Sequence, residues 1–231
     1  MKICGLNKTT LLDYPGKVAC TIFIGGCNFR CPFCQNSSLV LQHHAQPEIS
    51  QEEIFKFLRK RQGILEGVCI TGGEPTLYPD LVEFIKKIKD LGYFVKLDTN
   101  GTNPDLIQFL VSHHLVDKIA MDIKTSRERY PVLCGIEKPA MESIEKSVSF
   151  LLKNSVDYEF RTTVVKELHT EQDFLNIRQW IKEAKAYYLQ AYRDSEEVIQ
   201  PGFSSFSFQE LLHFKEILEE TISLVEIRGI D

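Results

Sequence analysis

The chain has 231 residues, 43% hydrophobic and 26% charged, with 27 Lys and Arg against 32 Asp and Glu for a formal charge of -5. At about 150 residues per domain this is room for one domain of α/β-barrel size or two small ones. The acidic balance argues against a general polyanion binder, whose affinity for nucleic acid rests on Lys and Arg against phosphate, and leaves only a local basic patch. The opening residues, Met1-Lys2-Ile3-Cys4-Gly5-Leu6-Asn7-Lys8, lack the apolar stretch of a secretory signal, and no run of about 18 apolar residues follows. The chain is therefore expected in the cytoplasm and off the membrane. In that reducing compartment seven cysteines, an odd number, point to metal or thiol chemistry and away from a disulfide framework.

Apolar runs alternate with amphipathic stretches from residue 18 onward, the pattern of repeated βα units and a mostly parallel sheet. Strands are expected near Val18-Ile24, Val68-Thr71, Phe94-Asp98, Lys118-Ile123, Tyr158-Val165 and Tyr187-Ala191, with Leu224-Ile227 as a short closing strand. The first intervening helix opens on a capping box, Ser50-Gln51-Glu52-Glu53, and buries Ile54, Phe57 and Leu58. The second begins at Pro79, carries Leu81, Phe84, Ile85 and Ile88, and stops at Gly92. Asn103 precedes a third with Leu106, Phe109 and Leu110; Ile144, Val148, Leu151 and Leu152 give a fourth one face; Thr170 and Ser207 cap a fifth and sixth. Six βα units fall short of the eight of a complete barrel, which takes about 250 residues. The expectation is one domain over 1–231, a partial (βα)6 TIM-like barrel. Its longest stretch without an obvious element is 25–49, and a loop of that length in a compact domain is commonly functional.

That loop holds Gly25-Gly26-Cys27-Asn28-Phe29-Arg30-Cys31-Pro32-Phe33-Cys34-Gln35-Asn36. Three thiols within eight residues can face one point and ligate a metal site. Structural zinc wants four protein ligands, commonly in two separated pairs, and no second pair has that spacing. An iron-sulfur cube on three cysteines keeps one iron free for substrate chemistry. The ordinary alternatives are three buried thiols, or a zinc loop completed by a distant His43. Thr71-Gly72-Gly73-Glu74-Pro75 ends the second strand, where two glycines let the backbone approach a ligand; on its own it would be a plain strand-to-helix turn. Asp98-Thr99-Asn100-Gly101 and Asp122-Ile123-Lys124 end the third and fourth strands, and barrel sites lie at such ends. Their oxygens suit a cation and Lys124 a carboxylate or ribose oxygen, against the alternative of turn and cap residues.

Together with Lys8-Thr9-Thr10-Leu11-Leu12-Asp13-Tyr14-Pro15-Gly16-Lys17, these motifs resemble the radical S-adenosylmethionine (SAM) superfamily. Within it they look like the glycyl-radical-enzyme activating proteins, most of all the group that activates anaerobic ribonucleoside-triphosphate reductase; the resemblance spans residues 6 to about 165 and thins beyond. It implies that Cys27, Cys31 and Cys34 hold a 4Fe-4S cluster, that Phe33 lies close to cluster and SAM, and that Gly72, Gly73, Glu74 and Pro75 form the segment bonding the methionyl amino group. It further implies that Asp98, Thr99, Asn100, Asp122 and Lys124 contact SAM and, in some members of the family, a monovalent cation, with Arg161 near SAM. A strand arginine is otherwise often an ion-pair residue.

The implied activity is reductive cleavage of SAM and formation of a glycyl radical on a partner enzyme, with an electron donor such as flavodoxin or ferredoxin. The alternatives are an activase of pyruvate formate-lyase or another glycyl radical enzyme, a radical SAM enzyme on a small molecule, or, from another class, a non-catalytic zinc or redox-thiol binding module. Cys4, Cys20, Cys69 and Cys134 read as packing residues, and the pairs His43-His44 and His113-His114 as solvated. Arg30, Arg127 and Arg129 are either partner contacts or solvated charges. Leu189-Gln190-Ala191-Tyr192-Arg193 lacks a histidine that related activases can place near the methionine carboxylate, and 190–206 has no clear role.

Overall fold

The computed structural model describes residues 1–230. Seven strands form a parallel run in which each pairs with the next in sequence: β2 (Ala19–Ile24), β3 (Gly67–Gly72), β4 (Phe94–Thr99), β5 (Lys118–Asp122), β6 (Asp157–Val164), β7 (Tyr187–Ala191) and β8 (Val225–Arg228). An eighth strand, β1 (Ile3–Thr10), lies antiparallel on the outer edge of β2, with register shifts on either side of residues 5–7. The order β1 to β8 is unbroken and β1 and β8 do not pair, so the sheet is an open barrel with six βα units, as expected.

Helices α1 (Ser37–Leu41), α2 (Gln51–Arg61), α3 (Leu81–Asp90), α4 (Pro104–Ser112), α5 (Tyr130–Cys134), α6 (Met141–Leu151), α7 (Glu171–Trp180) and α8 (Phe208–Glu219) fill the connections. Capping chemistry sets several starts. Ser50, Thr170 and Ser207 each form both halves of a capping box, with Glu53, Asp173 and Glu210, and the Asn103 side chain accepts from Leu106 N at 3.3 Å. Two helices turn their faces differently from the sequence pattern. In α2 it is Phe55, not Phe57, that is buried, and α4 buries Ile107, Leu110 and Val111 while Phe109 stays exposed. The second long helix starts at Leu81, two residues beyond Pro79, because the backbone from Pro75 to Leu77 first makes a tight turn of its own.

The apolar residues between sheet and helices form one core, including Ile22, Ile70, Leu97, Ile119, Phe160 and Leu189. The barrel interior is different. Lys96, Asp98, Asp122, Glu159 and Arg161 alternate with core residues along β4, β5 and β6, so the period of two sends ionic side chains to the inner face. Among the described residues no helix is long and apolar enough to cross a membrane.

Candidate functional site

A cavity of about 370 Å³ lies within the open barrel beneath the cysteine loop, within the size range of small-molecule and cofactor sites. Its wall is built where the ends of β2 and β3 touch. Gly73 N donates to Ile24 O and Glu74 N to Gly26 O, both at 2.8 Å. Gly72 has φ +119°, a conformation L side chains avoid, and a Cβ on Gly73 would stand 1.9 Å from the Gly26 carbonyl oxygen. The Gly-Gly pair is thus required by contact between two chain segments. Beyond it the loop carries Cys27, Cys31 and Cys34 to the cavity, with Phe33 buried beside them. Cys34 N closes a turn on Cys31 O at 3.0 Å, and the Cys27 sulfur accepts from Phe29 N at 3.3 Å.

Burial pushes the Cys27 thiol up to about 12 and also raises Cys34. A hydrogen bond from the Cys134 thiol lowers Cys31 against the opposing effect of burial, and raises Cys134 in turn. Cys134 is therefore a neighbour of the loop as well as a core residue. Arg30 N donates to Cys134 O at 2.7 Å, so α5 carries the underside of the loop. Of the other cysteines, Cys20 is buried in the core and Cys69 lies 3.8 Å from Asp98 Oδ1. His43 lies against His44, with ring centroids 3.8 Å apart and planes tilted by 41°, and does not line the cavity. Among the described residues no three His, Cys, Asp or Glu side chains are grouped tightly enough for one metal ion.

Opposite the cysteines, the cavity is lined by Asp98, Thr99 and Asn100 of β4 and its end, Asp122 and Lys124 of β5 and its end, and Arg161 of β6. The charged members form one chain. Lys96 Nζ donates to Asp98 Oδ1 at 2.5 Å, Arg161 Nη1 to Asp98 Oδ2 at 3.0 Å, Arg161 Nε to Asp122 Oδ1 at 2.5 Å, and Lys124 Nζ to Asp122 Oδ2 at 2.8 Å. Burial would raise both carboxyls, but Arg161 with the two lysines holds them below the usual range. The same pairing keeps Lys96, Lys124 and Arg161 charged against burial.

Gly72 and Gly73 of the expected segment line the cavity, and Glu74 and Pro75 do not. The latter two are buried outside the cavity lining. The Glu74 carboxylate accepts from Thr76 N at 3.0 Å, Thr99 Oγ1 at 2.8 Å and Asn100 N at 2.6 Å, and also from Thr76 Oγ1. Its acceptor capacity is spent on tying the end of β3 to the end of β4. From that end Asn100 Nδ2 donates to Asn28 Oδ1 at 2.8 Å, and Asn28 Nδ2 to Thr102 Oγ1 at 3.0 Å, which link β4 to the cysteine loop.

The cavity also collects residues the sequence reading did not single out: Thr21, Phe23, Asn36, Thr163 and Gln190, with Asp13 held by the Thr21 hydroxyl. Thr163 was within reach, since it stands two residues after Arg161 on one strand and shares its face. The segment after β7 has a definite place. Ile199 N donates to Cys34 O at 3.1 Å, Gln200 N to Pro32 O at 2.8 Å and Gln35 Nε2 to Arg193 O at 2.7 Å, so this strap is fastened along the cysteine loop. The three arginines are engaged within the chain: Arg30 with the carbonyls of Cys27 and Phe29, both at 2.7 Å, Arg127 with Glu145 at 3.4 Å, and Arg129 with Asp173 at 2.5 Å.

Residues 21–181 match the Radical SAM superfamily. Over 239 aligned positions the chain is 31% identical to a candidate glycyl-radical enzyme activating enzyme of Methanocaldococcus jannaschii, covering 99% of this chain and 96% of that protein. A GTP 3',8-cyclase candidate of Thermococcus kodakarensis is 30% identical over 130 residues, 54% of this chain and 41% of the relative. The fold is similar to that of Streptococcus suis SuiB bound to S-adenosylmethionine, with a TM-score of 0.68 at 14% identity over 90% of this chain and 52% of SuiB. The open barrel and the match over most of its length agree: the chain belongs to the radical SAM superfamily and is an enzyme that works with a 4Fe-4S cluster and S-adenosylmethionine.

Proposed function

We propose that this radical SAM enzyme activates a glycyl radical enzyme, with Cys27, Cys31 and Cys34 as the cluster ligands. The donor set fits the cluster. Of the seven cysteines only these three line the cavity and bring their sulfurs to it, while Cys134, whose thiol bonds Cys31, stays outside the lining. Lys124 and Arg161, which line the cavity and are each paired to an aspartate, are cations suited to the carboxylate of SAM. In this reading Gly72, Gly73, Asp98, Thr99, Asn100, Asp122, Lys124 and Arg161 form the SAM wall with Phe33, while Glu74 holds the wall in shape from behind.

Bound together, the cluster and SAM would supply one-electron cleavage of a sulfonium C–S bond, the electron coming from an external donor, and with it the means to take a hydrogen atom from a glycine Cα. Hydrogen-atom transfer needs no general base. Asp98 and Asp122 are both paired and held ionised, so their role is to fix the cations in place. The chain's remaining tasks are to orient the cofactor and keep water from it, and the strap over Pro32 and Cys34 serves the second.

The full-length match to a candidate activating enzyme carries the choice of a glycyl radical partner. The preferred partner is anaerobic ribonucleoside-triphosphate reductase, with a flavodoxin or ferredoxin as electron donor. The match of half the chain to a cyclase candidate favours a small-molecule reaction as the second reading. Anaerobic reconstitution followed by reduction with SAM and the reductase polypeptide tests the choice. A glycyl radical signal on the reductase, with release of 5'-deoxyadenosine and loss of both in Cys31→Ala, is expected. Cleavage of SAM without a radical on any glycyl radical enzyme refutes the activase reading, and zinc in place of iron refutes the cluster assignment.

A further inference from the structure

Each of the four oxygens of Asp98 and Asp122 already holds one cationic donor: Lys96 and Arg161 on Asp98, Arg161 and Lys124 on Asp122. Arg161 is the member that joins the two carboxylates. It stands on β6 in register with Asp122, and its Nε meets that near carboxylate while Nη1 reaches past β5 to Asp98 on β4. The side chains are largely withdrawn from water, with relative exposures of 16% for Arg161, 9% for Asp98 and 23% for Asp122. Glu159, the next carboxylate on the same face, is occupied by Arg228 at 2.9 Å and Lys118 at 3.4 Å and so leaves Arg161 to the two aspartates.

The aspartate oxygens are the hard ligands that an alkali-metal ion bound at this wall would use, and such an ion needs several oxygens directed at one point. The guanidinium stands between them. A planar, permanently charged fork bonded at two of its nitrogens does what a bridging ion would do, and it cannot dissociate. An added ion would also have to displace cations already paired to both carboxylates, in a place where uncompensated charge is costly.

We infer that the Arg161 guanidinium is the built-in bridging cation of this site, so that the chain binds S-adenosylmethionine without an added monovalent metal ion. The inference rests on the assignment of this wall to SAM, and the test separates the two. Equilibrium dialysis of radiolabelled SAM against the anaerobically reconstituted full chain is run in potassium chloride and in choline chloride at equal ionic strength, with thermal melts of the SAM-free protein in both salts. Wild-type affinity is expected to agree between the salts, and so is the melting temperature. Arg161→Gln should lose about tenfold or more in choline chloride, the scale of one charge-assisted contact, and recover part of that in potassium chloride. A fall of about tenfold in wild-type affinity on removing potassium overturns the inference, as does a melting temperature that rises with potassium. A folded Arg161→Gln protein indifferent to potassium also overturns it. If Arg161→Gln does not fold, the wild-type arms decide alone. If the wild type binds no SAM in either salt, the cofactor-site reading fails and the melts still decide the role of Arg161.

Discussion

Gly73→Ala adds one methyl group at the point where the end of β3 meets the cysteine loop. Gly73 takes an ordinary negative-φ conformation, so the perturbation is steric and not conformational. The new Cβ would lie 1.9 Å from the Gly26 carbonyl oxygen, and real Cβ contacts stay beyond 3.0 Å, so the segments must part by at least 1.1 Å. The obstacle is backbone on both sides, and no rotamer change relieves it. Parting also stretches Gly73 N to Ile24 O and Glu74 N to Gly26 O, each 2.8 Å long in the native structure. Overpacking of this kind costs about 1–3 kcal/mol, to which two weakened hydrogen bonds add about 1 kcal/mol each. A misplacement near 1 Å in a positioned site lowers turnover by about a hundredfold. Urea denaturation of the full chain should show a loss of about 3–5 kcal/mol, and SAM cleavage by the reconstituted protein a larger proportional loss than stability alone explains. Stability within about 0.5 kcal/mol of wild type together with full SAM cleavage would show that the two strand ends do not touch as described.

Glu74→Ala, read by urea denaturation, should cost about 3 kcal/mol or more, because the donors of Thr76, Thr99 and Asn100 lose their shared acceptor inside the protein; Glu74→Gln, which keeps the volume and one oxygen, should cost less. Asp98 and Asp122 titrate below their ordinary range in the folded chain, so their pairing stabilises fully above about pH 4 and is withdrawn as pH falls through the lowered folded values. Asp98→Asn should therefore lose about 3 kcal/mol at neutral pH, and its deficit against wild type should shrink as the solution is acidified, measured by urea midpoints across pH. Glu210 is expected to titrate at about 2, held there by the amide and hydroxyl of Ser207 and by Lys166. In Ser207→Ala carboxyl NMR should find it moved toward the ordinary value of about 4.3. Gln200→Pro removes the amide that fastens the strap to Pro32, and the reconstituted cluster should bleach faster in air, followed by visible absorbance, while the melting temperature moves little.

The parallel strands were legible because strands buried on both faces read as apolar runs; Ala19–Ile24 and Gly67–Gly72 are examples, nearly every residue being withdrawn from water. β1 was not, since an antiparallel edge strand needs no such run, and Ile3–Thr10 carries Gly5, Asn7 and Lys8 with only its ends buried. The five-residue helices α1 and α5 are too short to show a period. Cysteine spacing and strand-end position brought most of the site residues onto one cavity, but the direction of a side chain at a turn is not in the local pattern. Glu74 accordingly faces the end of β4. The Asn28–Asn100 bridge and the strap lie outside any local signal. The first joins residues 72 apart, and the second is held mainly by backbone groups, which every residue carries alike.

The strap also sets an order of events in time. Ile199 and Gln200 reach back to Cys34 and Pro32 across more than 160 residues of chain. At about 5–20 residues per second the ribosome takes roughly ten to thirty seconds to make that stretch. Throughout that interval the thiol loop has emerged and the segment that fastens it does not yet exist. Fastening of the cysteine loop is thus a late event that waits for the C-terminal quarter of the polypeptide, and in a nascent chain stalled before residue 199 the carbonyls of Pro32 and Cys34 lack these partners.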